Sequence, residues 1–157
     1  MKKLIYILLL LPSLVIAQTT TENYVVKKVF NTKRTTVSGL NTIPADSITK
    51  IVSYFDGLGR AKQNVAVKAG GNKEDIVTHF EYDALGRQIK DYLPYAIISN
   101  DGLFRTGNQA SATNQYYLNN YATDFAGVTL PENANAYSEK NIENSPLNRV
   151  LEQAAPG

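Results

Sequence analysis

"FDGLGR" at residues 55–60 and "YDALGR" at 82–87 are nearly the same phrase written twice, and their reading decides the fold. As phosphate loops they fail. A dinucleotide fingerprint needs G-x-G-x-x-G opening a helix, and a Walker loop needs Gly-Lys-Ser/Thr. After Gly57-Leu58-Gly59 the third glycine position holds Lys62, and the following "AKQNVAV" has no helical apolar stripe. In the second copy Ala84 stands in place of Gly57, so what persists is Asp, Leu, Gly and Arg.

Those four residues describe a hairpin tip. Asp at the first position of a type I turn accepts from the backbone N–H groups just ahead of it. Gly at the fourth takes the left-handed conformation that closes a three-residue loop with a bulge. Asp56-Gly57-Leu58-Gly59 and Asp83-Ala84-Leu85-Gly86 both qualify, and each places an arginine, Arg60 or Arg87, across the strands from its aspartate. The flanks "KIVSYF" and "VTHFEY" are rich in β-branched and aromatic residues, as strands require. A third copy is read at Ser145-Pro146-Leu147-Asn148-Arg149, with Pro at the second position and Asn as the left-handed residue. The same residues also satisfy a helix start, with Ser145 as N-cap and Pro146 at N1; the recurring order of Leu, turn residue and Arg favours the hairpin.

The Tyr-Asp and Gly-Arg core of residues 82–87 resembles the RHS/YD repeat of large secreted bacterial proteins, with Phe55-Asp56 to Arg60 as a second copy. Phe80, where an upstream Tyr is common, and Gln88, where an apolar residue often follows Arg, depart from the pattern. More broadly, "NYVV" at 23–26, both turns, "YLPYA" and "SPLNRVLEQAAPG" make residues 23–157 similar to the uncharacterised N-terminal domain preceding RHS repeats. The resemblance implies successive β-hairpins that wind into a shell able to enclose a C-terminal toxin. It implies a place in a larger protein and no transferable activity.

The chain opens with Lys2 and Lys3, an apolar run Leu4–Leu11, and Val15 and Ala17 at the −3 and −1 positions of a cleavage site, the layout of a secretory signal peptide cut before Gln18. The segment to Ala17 is interrupted by Pro12 and shorter than the roughly 20 residues that cross a bilayer. Without residues 1–17 the basic count falls from 16 to 14 and equals the 14 acids, so no basic face for nucleic acid follows. The absence of cysteine excludes thiol nucleophiles and Cys-based zinc sites.

The expected architecture is mainly β. Strands are read at 23–30 and 46–55 with a loop carrying Gly39 and Pro44 between them. YD-like hairpins follow at about 46–69, 76–98 and 140–155, with a turn at Gly70-Gly71-Asn72 and Pro94 at a sheet edge. Residues 99–136 hold seven Asn and the aromatics Tyr116, Tyr117, Tyr121 and Phe125, and read as an insertion, either part helix or a long covering loop.

Chemistry is thin. His79 is the only histidine and is placed on the more exposed side of its strand, and no G-x-S-x-G elbow supplies a nucleophile. Asp56 and Asp83 each have a turn role and an Arg four residues on, which favours their ionised form. The sequence therefore points to a non-catalytic structural module without a cofactor, secreted or at the cell surface, whose partners are downstream RHS/YD repeats of the same polypeptide. The alternative is a module binding a cell-surface glycan or protein through Tyr116, Tyr117, Tyr121 and Phe125. One face of the hairpin sheet needs a cover, and the expectation is that following repeats, rather than the insertion, supply it.

Overall fold

Alternating residues in the strand segments place one apolar set on one face of a sheet. The computed structural model describes residues 22–33, 44, 47–99 and 101–157; the expected signal peptide and most of the loop containing Gly39 lie outside them. The first sheet contains β1 (Asn23–Phe30), β2 (Ile48–Phe55), β3 (Ala61–Val67), β4 (Asp75–His79) and β6 (Tyr95–Ile97), all antiparallel and hydrogen-bonded in that order. The second contains β5 (Lys90–Tyr92), β7 (Tyr137–Ile142) and β8 (Val150–Ala154). The fold is mainly β, built of antiparallel hairpins, with helix α1 (Gln109–Asn120) inside the stretch read as an insertion.

The core of the first sheet centres on one cross-strand row. Val26 stands opposite Val52, Val52 opposite Val65, Val65 opposite Val77, and Val77 opposite Tyr95. Val52, Val65 and Val77 are fully buried. Burying one such side chain contributes about 1.5–3 kcal/mol relative to leaving it in water. Phe104, Ala112 and Tyr116 of the insertion pack onto this row. The insertion, not a following repeat, covers the first sheet.

Residues of the neighbouring rows explain how it is fixed there. Tyr54 and Gln63, Gln63 and His79 are cross-strand pairs on the covered face. The Tyr54 hydroxyl donates to the Gly102 carbonyl at 2.7 Å. Gln63 behaves as a surrogate strand: its Oε1 accepts from the Arg105 backbone N–H at 2.8 Å and its Nε2 donates to the Arg105 carbonyl at 3.3 Å. The fully buried Asp75 accepts from the backbone N–H groups of Lys68 and Gly102 and from the Arg105 guanidinium. A face with these buried polar groups closes only over a partner that satisfies them.

Two further expectations change. His79 is buried, not exposed, because burial in β4 falls on Asp75, Val77 and His79; the period of two carries the histidine inward with Val77 and turns Phe80 the other way. The hairpin expected over 76–98 has a divided return arm. β6 pairs with β4, while β5 touches that side only through the Phe80–Asp91 bridge and pairs with β7 on its other edge. The division falls at Leu93-Pro94, where proline has no N–H to give the ladder. That arm joins the sheets, and Leu93 N–H donates to Ala136 at the start of the third hairpin.

In the insertion, Asn108 caps α1 by accepting from the Ser111 N–H at 3.0 Å. The cap at Tyr121 ends the helix, so Phe125 lies beyond it. Phe125, Ala134 and Ala136 form a second small core with Tyr117, Leu118 and Val128. Asn114 ties the two segments together, donating to the Pro131 carbonyl and accepting from the Ala136 N–H.

Candidate functional site

The three turns form the most regular feature of the molecule. Asp56 N–H donates to the Arg60 carbonyl at 2.9 Å and Gly59 N–H to the Asp56 carbonyl at 3.1 Å. Asp83 and Arg87, Gly86 and Asp83 repeat the two bonds at 2.9 Å each. Gly59 and Gly86 have φ of 78° and 77°. In both copies one carboxylate oxygen accepts from the N–H groups two and four residues ahead, and the other from the arginine Nε, at 2.7 Å for Asp56 and 2.8 Å for Asp83. The N–H of Arg60 leads in holding the Asp56 carboxyl below its ordinary range; burial acts in the opposite direction, and the Arg60 side chain and Leu58 N–H add to the lowering. Asp83 is lowered in the same way by Arg87 and Leu85. Both aspartates are thereby kept ionised, which suits a structural anion and not a general acid.

The third tip is a hairpin turn between β7 and β8 with the same inner bond, Asn148 N–H to the Ser145 carbonyl at 3.1 Å, and Asn148 at φ 51°. Ser145 Oγ accepts from Leu147 N–H, but a hydroxyl cannot also hold an arginine as a carboxylate does. Glu143 takes that part. Its N–H donates to the Arg149 carbonyl, and its carboxylate accepts from Arg149 Nε at 3.0 Å and from Ser145 Oγ at 2.6 Å. The bond from Arg149, then that from Ser145, lowers the Glu143 pKa. The substitution was not foreseen from the sequence, although Arg149 without an acid four residues back, and Glu143 as the nearest upstream acid, was the available signal.

Arg60 and Arg87 also reach forward. The Arg60 guanidinium lies 4.6 Å from the centre of the Tyr82 ring, the residue before Asp83. Its Nη1 lies so close to Gly86 that a Cβ there would be 3.0 Å away. Arg87 Nη1 reaches the third turn, donating to Asn148 Oδ1 at 3.3 Å and to the Glu143 carbonyl at 3.5 Å. Thus the arginine of one tip rests on the fourth residue of the next. With Gly there, the arginine slides onto an aromatic ring; with Asn, it bonds the side-chain amide. Pro146 forms, with Leu85, Arg87, Ser145 and Asn148, the wall of a cleft of about 340 Å³ between the second and third tips.

The aromatic residues of the insertion are placed otherwise. Phe125 is buried, Tyr116 and Tyr117 are half-buried against the two cores, and Tyr117 donates its hydroxyl to the Pro94 carbonyl. Only Tyr121 of the four is exposed, and its ring stacks on Tyr117.

His79 is the remaining group with chemistry. Thr113 Oγ1 donates to the Gln109 carbonyl, so it is an acceptor for His79 Nδ1, 3.4 Å away. His79 Nε2 is buried without a hydrogen-bond partner and lies 3.8 Å from a Glu81 carboxylate oxygen. Burial lowers the His79 pKa and the Glu81 charge opposes this. A cleft of about 500 Å³ lies beside it, with Lys62, Phe104, Arg105 and Gln109 in its wall. Lys62 in that wall is already paired with Glu22.

Fold and site together define an antiparallel β-hairpin protein whose tips are coupled by forward-reaching arginines and whose first sheet is covered by a helical insertion. Residues 27–157 match the model of a family described as a domain of unknown function (DUF6443), and the chain belongs to that family. No curated protein and no solved structure matches it.

Proposed function

We propose that this chain is a non-catalytic structural module of a secreted or cell-surface protein of the RHS/YD-repeat kind, starting or capping a stack of β-hairpins that can continue into a shell around a C-terminal toxin or effector. The observation that carries the reading is the coupling of tips: Arg60 binds its own turn and the second, and Arg87 its own turn and the third. Such coupling makes each hairpin a template for the next, as stacked repeats require. The titratable groups at the tips support it, since Asp56, Asp83 and Glu143 are all engaged by arginine and backbone.

The test appends a copy of this chain's own regular hairpin, residues 47–69, after Gly157 through a short flexible linker. A hairpin that docks raises the urea midpoint and steepens the denaturant dependence of the full chain, because more surface is buried in one cooperative unit. An appended hairpin that leaves both unchanged would overturn the reading.

A further inference from the structure

Among the described residues, β8 is paired on one side only, by β7. All five of its residues are exposed, including Val150 and Leu151, and Leu147 in the turn before it is 72% exposed. An open strand edge invites a further strand, and proteins that keep such an edge unpaired usually protect it with lysine, proline or a bulge. β1, at the edge of the first sheet, carries Lys27 and Lys28; Val150-Leu151-Glu152-Gln153-Ala154 has neither lysine nor proline. The β8 bulge at Leu151 matches the one at Lys62 in β3, a strand nonetheless paired on its far edge by β4.

Arg149 marks what such a strand would carry. In Arg60 and Arg87, Nε binds the acid of the same turn and Nη1 faces the next turn. In Arg149, Nε and Nη2 bind Glu143, and Nη1 has no partner among the described residues. Its side chain is 70% exposed, against 37% for Arg60 and 22% for Arg87. The first two arginines are covered by the hairpin that follows them.

We propose that β8 and Arg149 together form a docking site for a β-hairpin whose tip offers Arg149 either an aromatic residue before the turn with glycine at its fourth position, or an asparagine at that fourth position. The proposal rests on the structural reading above and adds the rule of recognition. Those are the two solutions already present, Tyr82 with Gly86 and Asn148. A Cβ without a polar end at the fourth position would stand in the path of Nη1, as it would at Gly86. Antiparallel pairing of two β8 strands centred on Glu152 would set like charges opposite each other, which disfavours self-association at this edge.

The experiment is a double-mutant cycle in the full chain carrying the appended 47–69 hairpin, whose tip has Phe55 before the acid and Gly59 at its fourth position. Arg149→Ala and Phe55→Ala, the latter only in the appended copy, are made singly and together. Arg149→Ala in the chain without the appended hairpin corrects for the loss of the Glu143 pair. The expected result is that the two substitutions together shift the urea midpoint by clearly less than the sum of their separate shifts. Arg149→Lys, which lacks the flat fork that lies on a ring, should lose most of that coupling. If the appended hairpin stabilises the chain but the shifts simply add, or if Arg149→Lys keeps the full coupling, the recognition rule is wrong while the structural reading stands. If the appended hairpin stabilises nothing, both fall.

Discussion

Gly59 and Gly86 share a backbone conformation and differ in their surroundings, which separates two roles of glycine. A Cβ on Gly59 would meet nothing within 4 Å, whereas one on Gly86 would lie 3.0 Å from Arg60 Nη1. Gly59→Ala should therefore cost only the left-handed penalty of about 1–2 kcal/mol. Gly86→Ala should cost more, and the excess should vanish in an Arg60→Ala background; urea denaturation of the four proteins checks it. The pH dependence follows from the carboxylates and His79. Asp56, Asp83 and Glu143 hold protons less readily folded than unfolded, so their contribution is complete above a pH of about 5 and is lost as pH falls through the lowered folded values. His79 also binds its proton less readily when folded, so stability is complete above about 6.5 and declines below it as the unfolded chain takes up the proton first. Denaturation midpoints measured across this range should fall in two stages. His79→Gln should flatten only the upper stage and Asp83→Asn should reduce only the lower.

Gln63 is the point at which an element distant in sequence becomes part of the sheet. Gln63→Ala leaves the N–H and C=O of Arg105 unpaired beneath the insertion, and should destabilise by more than about 2 kcal/mol. Asn64→Ala, on the opposite face, should stay within about 0.5 kcal/mol in the same denaturation series. At this scale the turns were legible because their residue types answer to local needs: an acceptor at the first position, a left-handed residue at the fourth. The strands were legible from β-branched and aromatic runs, and β2 begins two residues later than expected. Helix α1 was only half legible. Its inward residues go to two cores, Ala112, Thr113 and Tyr116 toward the first and Tyr117 and Leu118 toward the second with the buried Asn114 between, so no single apolar stripe forms. The inward turn of His79 followed from Val77 by simple alternation, but the division of the 90–97 arm depends on pairing with β7, some forty-five residues on, which no local pattern announces.

Across the whole molecule, burial is unequal. Val52, Tyr54, Val65 and Val77 are fully buried under the insertion, while β8 is exposed along its length. Amide hydrogen exchange should show slow, matched protection in β2, β3 and β4, with α1 joining the same cooperative unit, and rapid exchange in β8. Equal protection of β8 in the unextended chain would mean that this edge already has a partner. The forward reach of Arg60 and Arg87 also bears on how the polypeptide leaves the ribosome. A chain emerging from its N-terminus completes each tip only when the following one has appeared, so folding runs one hairpin behind synthesis. The lag is longest near residue 98. By then Gln63, Asp75 and His79 have all emerged, but Gly102, Arg105 and Thr113, which satisfy them, have not. During that interval water must serve the polar groups that the insertion later claims, and the nascent sheet is most open to misassociation.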